Sequence, residues 1–260
     1  MTAARRPRPI AVLVATLLLA PGCARSAGAG ADRELVVLAA ASLTEAFTGI
    51  AADFERAHPR VRVRLSFGPS DALAIQIVEG APADVFASAS PRWMDEVERR
   101  GPGVSDRAAF ARNVLVVITP FDDPGAVRSL ADLARPGLRL VLAAPGVPAG
   151  DYAREALRSA GILQPALANL VSNEEDVKAV VQKVVLGEAD AGIVYRTDVT
   201  PEVRDELRVV PLPRSVHVTA VYPIAVVAST GTPHLARAFV RAVLGPGQAV
   251  LQAHGFLPPP

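Results

Sequence analysis

The chain has 260 residues, half of them hydrophobic, with 27 lysines and arginines against 26 aspartates and glutamates. That length and apolar content exclude a disordered chain and supply a well-buried core for one large or two medium domains. The charge excludes a nucleic-acid footprint: residues 1–22 hold three arginines and no acid, so without them 24 basic face 26 acidic residues, a net of −2 with no lysine or arginine cluster. Arg5, Arg6 and Arg8 precede an apolar run from Ile10 to Ala20 that meets Pro21-Gly22-Cys23. This is the pattern of an export signal, too short for a comfortable membrane-spanning helix. Cys23 is the single cysteine, so it forms no internal disulfide. Its place after the apolar run predicts lipidation at a new N-terminus, with Ala20 standing where such sites usually carry Leu. Residues 1–22 thus read as a signal peptide and 23–32, small and polar, as a lipid-anchored tether. The expected location is outside the cytoplasm, on the cell membrane through the lipid or in the periplasm.

A strand Leu35–Leu38 runs through small residues into a helix with the stripe Leu43, Ala46, Phe47, Ile50, Ala51 and Phe54. Ser42 with Glu45 three residues on predicts a capping box at its start. Arg60–Phe67 alternates charged and apolar residues as a half-exposed strand does, and Gly68-Pro69-Ser70 turns into a helix that Gly80 ends. A short strand at Ala83–Ala87 and a helix from about Ser90 follow, then a strand Asn113–Thr119, a short helix Ser129–Ala134 and a strand Leu138–Leu142. The stretch Gly146-Val147-Pro148-Ala149-Gly150, with two glycines and a proline in five residues, suggests a backbone that approaches something closely, with a loop before a helix closed by Gly161 as its plainer reading. Ser172–Glu175 predicts the cap of a helix striped by Val177, Val180, Val181, Val184 and Val185. A strand Ala191–Tyr195, extended segments at Leu207–Val210 and Val218–Ala228, and a helix pair over 233–254 complete the chain. This alternation of strands and helices predicts an α/β fold with mainly parallel sheet and right-handed crossovers.

Four helix starts share one design, in which a strand or loop delivers a small or hydroxyl residue to the first turn: Ser42, Ser70, Ala149 and the segment Ser172–Val177. Each alone reads as a plain cap. Together they suggest free N–H groups and hydroxyls converging on one cleft, able to bind a dehydrated oxyanion without lysine or arginine. Tyr195, at a strand end, is either a core ring or a further donor. Catalytic patterns are weak: His58, His217, His234 and His254 have no Gly-x-Ser-x-Gly elbow near them. No metal-ligand spacing and no Walker lysine occur. Asp84 is a candidate base, with a turn or hinge hydrogen bonder as its plainer reading.

The motifs Ala39-Ala40-Ala41-Ser42-Leu43-Thr44, Ser66-Phe67-Gly68-Pro69-Ser70, Gly80-Ala81-Pro82-Ala83-Asp84-Val85-Phe86, Val147-Pro148-Ala149-Gly150-Asp151-Tyr152-Ala153, Glu174-Glu175-Asp176-Val177, Gly187–Tyr195 and Tyr222-Pro223-Ile224-Ala225-Val226 resemble the molybdate-binding lipoproteins of ABC uptake systems. The resemblance spans about residues 35–257. It implies a two-lobe fold of the type II periplasmic-binding-protein kind, with residues 33–112 plus 223–260 as one lobe, 113–222 as the other, and crossing hinge strands near Arg112-Asn113 and Val221-Tyr222. It puts the hydroxyls and amides of Ser42 and Ser70, the amides of Ala149 and Val177, and the Tyr195 hydroxyl on the oxyanion, with no direct metal ligands. Pro69 and Asp71 depart from the family pattern; the first lacks an N–H and the second sets a carboxylate in the first helical turn. The implied function is capture of molybdate or tungstate for the membrane subunits of an ABC permease by a monomer, with no cofactor and no bond made or broken. The alternatives are a sulfate- or thiosulfate-type binder, or an enzyme acting on an anionic substrate through Ser42 or Asp84.

Overall fold

The computed structural model describes residues 33–216 and 218–260. The signal segment 1–22, the tether 23–32 with its Cys23, and His217 lie outside the described residues. Strand β1 (Arg33–Ala40) is buried at Leu35 and from Val37 to its end, with Val36 half-buried, because parallel partners flank it on both sides, β2 (Val61–Gly68) and β3 (Val85–Ala87). β2 lies at the sheet edge and so keeps the alternating burial that its sequence announces. Helices α1 (Thr44–Ala57), α2 (Ser70–Val78) and α3 (Pro91–Arg100) connect and follow these strands.

A second parallel section forms from β5 (Leu140–Ala143), β6 (Leu170–Glu174) and β7 (Ala191–Tyr195), with α4 (Pro148–Ser159), α5 (Leu163–Leu167) and α6 (Val177–Val185) between them. Two long antiparallel strands join the sections. β4 (Val104–Pro120) pairs along Val104–Val114 with β9 (Thr219–Val227) and along Leu115–Pro120 with β7 and β8 (Leu207–Pro211). The order is β2-β1-β3-β9-β4-β7-β5-β6, with β8 beside β4. α7 (Pro233–Leu244) and α8 (Gly247–Ala253) return the chain to α1.

The core is contiguous through both sections. A chain of aromatic contacts links Phe54, Phe239, Phe47, Phe110, Tyr222 and Tyr195, with centroids between 5.3 and 6.2 Å apart. It ties α1 and α7 to the joining strands and ends at the carboxyl end of β7.

Several local expectations are corrected. Ser42 is not a cap: Ala41–Leu43 form a 3-10 turn ahead of α1, and no side chain caps that helix. Ser172 and Glu174 belong to β6, and the cap of α6 is Asp176, whose carboxylate accepts from Ala179 N–H at 2.9 Å. β4 begins nine residues before Asn113, at Val104. Register shifts between Ser105 and Ala108 and between Ala109 and Ala111 break the alternation that marks a strand in sequence. The Pro148–Gly150 stretch is the first turn of α4 rather than a loop, with Pro148 at the position where its missing N–H costs nothing.

Gly150 is required by close approach. A Cβ there would lie 2.3 Å from both Ala143 O and Ala144 O, backbone atoms at the end of β5. Gly150→Ala is expected to cost about 1–3 kcal/mol, read as a lowered thermal midpoint. Gly231→Ala, with nothing near its added carbon, serves as the control and leaves the midpoint unchanged.

Candidate anion-binding cleft

The first wall of the cleft is built where β1 and β2 end. Small side chains at Ala39, Ala40 and Ala41 let the backbone turn tightly, and Ser42 follows at 4% exposure. Its Oγ lies 2.9 Å from the Tyr222 hydroxyl. Glu45 does not reach back to its own helix start; its carboxylate takes Lys178 Nζ of α6 at 2.7 Å. Pro69 precedes α2 without a capping hydrogen bond, and the Ser70 Oγ accepts from Ala89 N–H at 3.0 Å.

The second wall comes from helix starts and a strand end. Gly146, at φ +95°, turns the chain after β5, and its N–H donates to Asp151 Oδ1 at 2.8 Å. Ala149 then sits in the first turn of α4, where a backbone N–H has no partner within the helix. Val177, the first residue of α6, likewise has no helical partner for its N–H, and the Asp176 cap satisfies Ala179 rather than Val177. Tyr195 ends β7 at 1% exposure. Its N–H donates to Asp198 Oδ2 at 3.0 Å, whereas its hydroxyl has no hydrogen-bond partner among the described residues. Burial raises the pKa of that phenol, so it stays protonated and remains a donor.

These residues meet in one cleft. It is lined by Ser42, Ser70, Ala149, Val177 and Tyr195, with Ala40, Ala41, Gly68, Pro69, Ala89, Val147 and Pro148 between them. All five positions expected from sequence are therefore brought together, and no charged side chain is among the lining residues. The cleft is narrow, with a volume of about 20 Å³. Its walls are joined at the rim by Trp93 Nε1–H donating to Gly146 O at 2.8 Å, by Arg92 with Asp151 at 3.0 Å, and by Lys178 with Glu45. Asp71 is not a lining residue. Burial raises its pKa, and its Oδ2 lies 3.9 Å from where a side chain at Gly146 would begin.

Other candidate groups have structural employment. Asp84 accepts from Val36 N–H at 2.7 Å and from the Thr230 hydroxyl, which ties β1 to the loop after β9. His58 stacks on Phe54 with centroids 4.1 Å apart. Among the described residues no group of three His, Cys, Asp or Glu is placed to hold a metal, and no helix is long and apolar enough to cross a membrane. A wider hollow of about 520 Å³ lies between α1, α7 and α8, lined by Ile50, Phe54, Ala238 and Ala242 together with Asp53, His58 and Arg241. Sequence reasoning missed the residues behind the cleft, Asn113, Tyr222 and Ala89. Their part depends on which strands are neighbours, which no local pattern encodes.

A cleft between two parallel sheet sections, with two joining strands, has the architecture of the periplasmic-binding-protein-like fold. Residues 35–257 match the family described as bacterial extracellular solute-binding protein, and the chain belongs to that family. The molybdate-binding protein ModA of Mycobacterium tuberculosis is 39% identical over 251 residues, covering 96% of this chain and 94% of the relative. That of Escherichia coli is 36% identical over 240 residues, covering 86% and 89%. Among solved structures, the periplasmic molybdate-binding protein of Azotobacter vinelandii superposes with a TM-score of 0.77 at 24% identity, covering 87% of this chain and all of that one, a likeness of fold.

Asp198 lies under the cleft, fully buried, with Oδ1 unpartnered and Lys178 Nζ 4.0 Å away. Burial outweighs that ammonium and raises its pKa from 3.8 to about 7. The folded state therefore holds a proton that the unfolded chain releases. Stability contributed by this group is full below about pH 4 and is lost as pH rises through about 7. Asp198→Asn, which keeps an acceptor for Tyr195 N–H, is expected to remove that slope in denaturant unfolding measured between those limits. A wild-type slope retained in the variant would assign it to another group.

Proposed function

We propose that this protein captures molybdate or tungstate in the cleft and delivers it to the membrane subunits of an ABC permease, making and breaking no covalent bond. The observation that carries the reading is the Tyr195 hydroxyl, buried, protonated and unpartnered at the cleft wall. A buried donor without an acceptor is costly unless a ligand completes it. The Ser42 and Ser70 hydroxyls and amides and the Ala149 and Val177 amides supply the other donors. A tetrahedral dianion that carries no proton can accept from all of them. The relatives that are molybdate-binding proteins support this choice of anion.

In this reading residues 33–112 plus 223–260 and residues 113–222 move as two lobes, hinged where β4 and β9 cross near Arg112-Asn113 and Val221-Tyr222. The narrow interior fits that picture, since about 20 Å³ admits little more than one water and the anion enters as the walls part. The rim contacts of Trp93, Arg92 and Lys178 reform over it. The protein acts as a monomer, held outside the membrane by lipid on Cys23, and needs no cofactor.

Isothermal titration with molybdate, tungstate, sulfate and phosphate tests the reading, with tight binding expected for the first two alone. Tight binding of sulfate alone would assign a sulfate-type binder. Turnover of an anionic ester, abolished in Ser42→Ala, would make the protein an enzyme. Tyr195→Phe keeps the ring and removes one donor, a loss of about 1.5–3 kcal/mol and hence roughly ten- to hundredfold in affinity for a charge-assisted bond. Because that hydroxyl has no hydrogen-bond partner among the described residues, the thermal midpoint is expected to hold. Cys23→Ala is expected to release the protein from the membrane fraction with binding intact; membrane association that persists would refute the anchor.

A further inference from the structure

Both serines of the cleft are held from behind by donors. Ser70 Oγ accepts from Ala89 N–H at 3.0 Å, and Ser42 Oγ lies 2.9 Å from Tyr222 OH. The direction of the proton in the second pair is set by Asn113, whose side chain is fully buried on β4. Its Oδ1 accepts from Val114 N–H at 2.9 Å, which fixes the amide orientation. Nδ2, which can only donate, then faces Thr197 Oγ1 at 2.8 Å and Tyr222 OH at 3.5 Å. Tyr222 thus meets a donor on that side. Its own proton has one acceptor within hydrogen-bond distance among the described residues, Ser42 Oγ. Burial keeps this phenol protonated. A serine oxygen that accepts from behind keeps its proton for the open side.

We propose that Asn113 and Tyr222 are positioning residues that keep the Ser42 proton for the open side, so that the cleft presents donors to its ligand, and that this relay sets its preference for oxyanions without a proton. The proposal rests on the cleft being an oxyanion site. With Ser70 accepting from Ala89 and Tyr195 free to donate, a protonated oxyanion such as hydrogen phosphate sets its O–H against donors already aimed at it. A rotor left free would turn an oxygen lone pair to that proton and tolerate it.

The test reverses the relay. In Asn113→Asp the new carboxylate keeps the Val114 N–H but has no proton to give. The Tyr222 proton turns toward it, the Ser42 proton turns toward Tyr222, and a Ser42 lone pair faces the cleft. Affinities are measured by displacement of molybdate for two matched pairs, sulfate with hydrogen phosphate and selenate with hydrogen arsenate. Near about pH 8 the members of each pair carry similar charge and differ in one proton. The added buried charge weakens both members alike and leaves their ratio unmoved. The relay instead predicts that the preference for sulfate and selenate falls by about tenfold or more, the equivalent of one lost or reversed hydrogen bond.

Tyr222→Phe is the second variant. It keeps the ring packed on Phe110, Tyr195 and Phe256 and removes the donor behind Ser42. Its ratio is expected to fall several-fold, and it decides the question if Asn113→Asp does not fold. Wild-type protein that binds no oxyanion removes the underlying reading and the relay with it. Wild-type protein that binds molybdate, together with unchanged ratios in the folded variants, overturns the relay alone.

Discussion

An anion taken out of water without a counter-charge has to recover its lost hydration from hydrogen-bond donors whose directions are fixed before it arrives. The arrangement around this cleft follows from that requirement. Its lining holds no lysine or arginine, and the nearby Lys178 is engaged by Glu45 and faces Asp198. The donors are hydroxyls and the free N–H groups of helix starts, each aimed by an element that is rigid for its own reasons. β1 is aimed by burial between two strands, α4 by the close approach of Gly150 to β5, and α6 by the Asp176 cap.

The same requirement explains the polar groups behind the donors. A hydroxyl in a low-dielectric site can turn either its proton or its lone pair toward a ligand, and only one of these suits an anion. In the proposed relay that choice falls to the groups behind the serines, Ala89 at Ser70 and Tyr222 with Asn113 at Ser42. Asn113 and Tyr222 stand on β4 and β9, the strands that also join the two sheet sections. In the proposed relay the residues that connect the two sections also serve recognition, and a change in the joining strands would be felt at Ser42.

Much of this was legible in the chain itself. Strand and helix positions follow from runs such as Leu35–Leu38 and the valine stripe of α6, because burial on one or both faces writes itself into hydrophobic period. Element ends marked Ser42, Ser70, Ala149 and the Ser172–Val177 segment and left Tyr195 open between core ring and donor; the set of five came with the family resemblance. What stayed hidden was tertiary. The Ser42-Glu45 pair reads as a capping box by spacing, yet both side chains are drawn to partners far along the chain, Tyr222 and Lys178. The first half of β4 is obscured by its bulges, and Asn113 carries no local mark of its role.

The central claim is that neutral donors alone hold a doubly charged ion. The most direct measurement of it is the dissociation constant of molybdate as a function of ionic strength. Screening acts on long-range attraction between exposed charges and hardly on short hydrogen bonds in an enclosed site, so the constant is expected to change by less than about threefold between roughly 0.01 and 0.3 M salt. A steep loss of affinity over that range would show that lysine or arginine charge holds the anion, and would contradict the account.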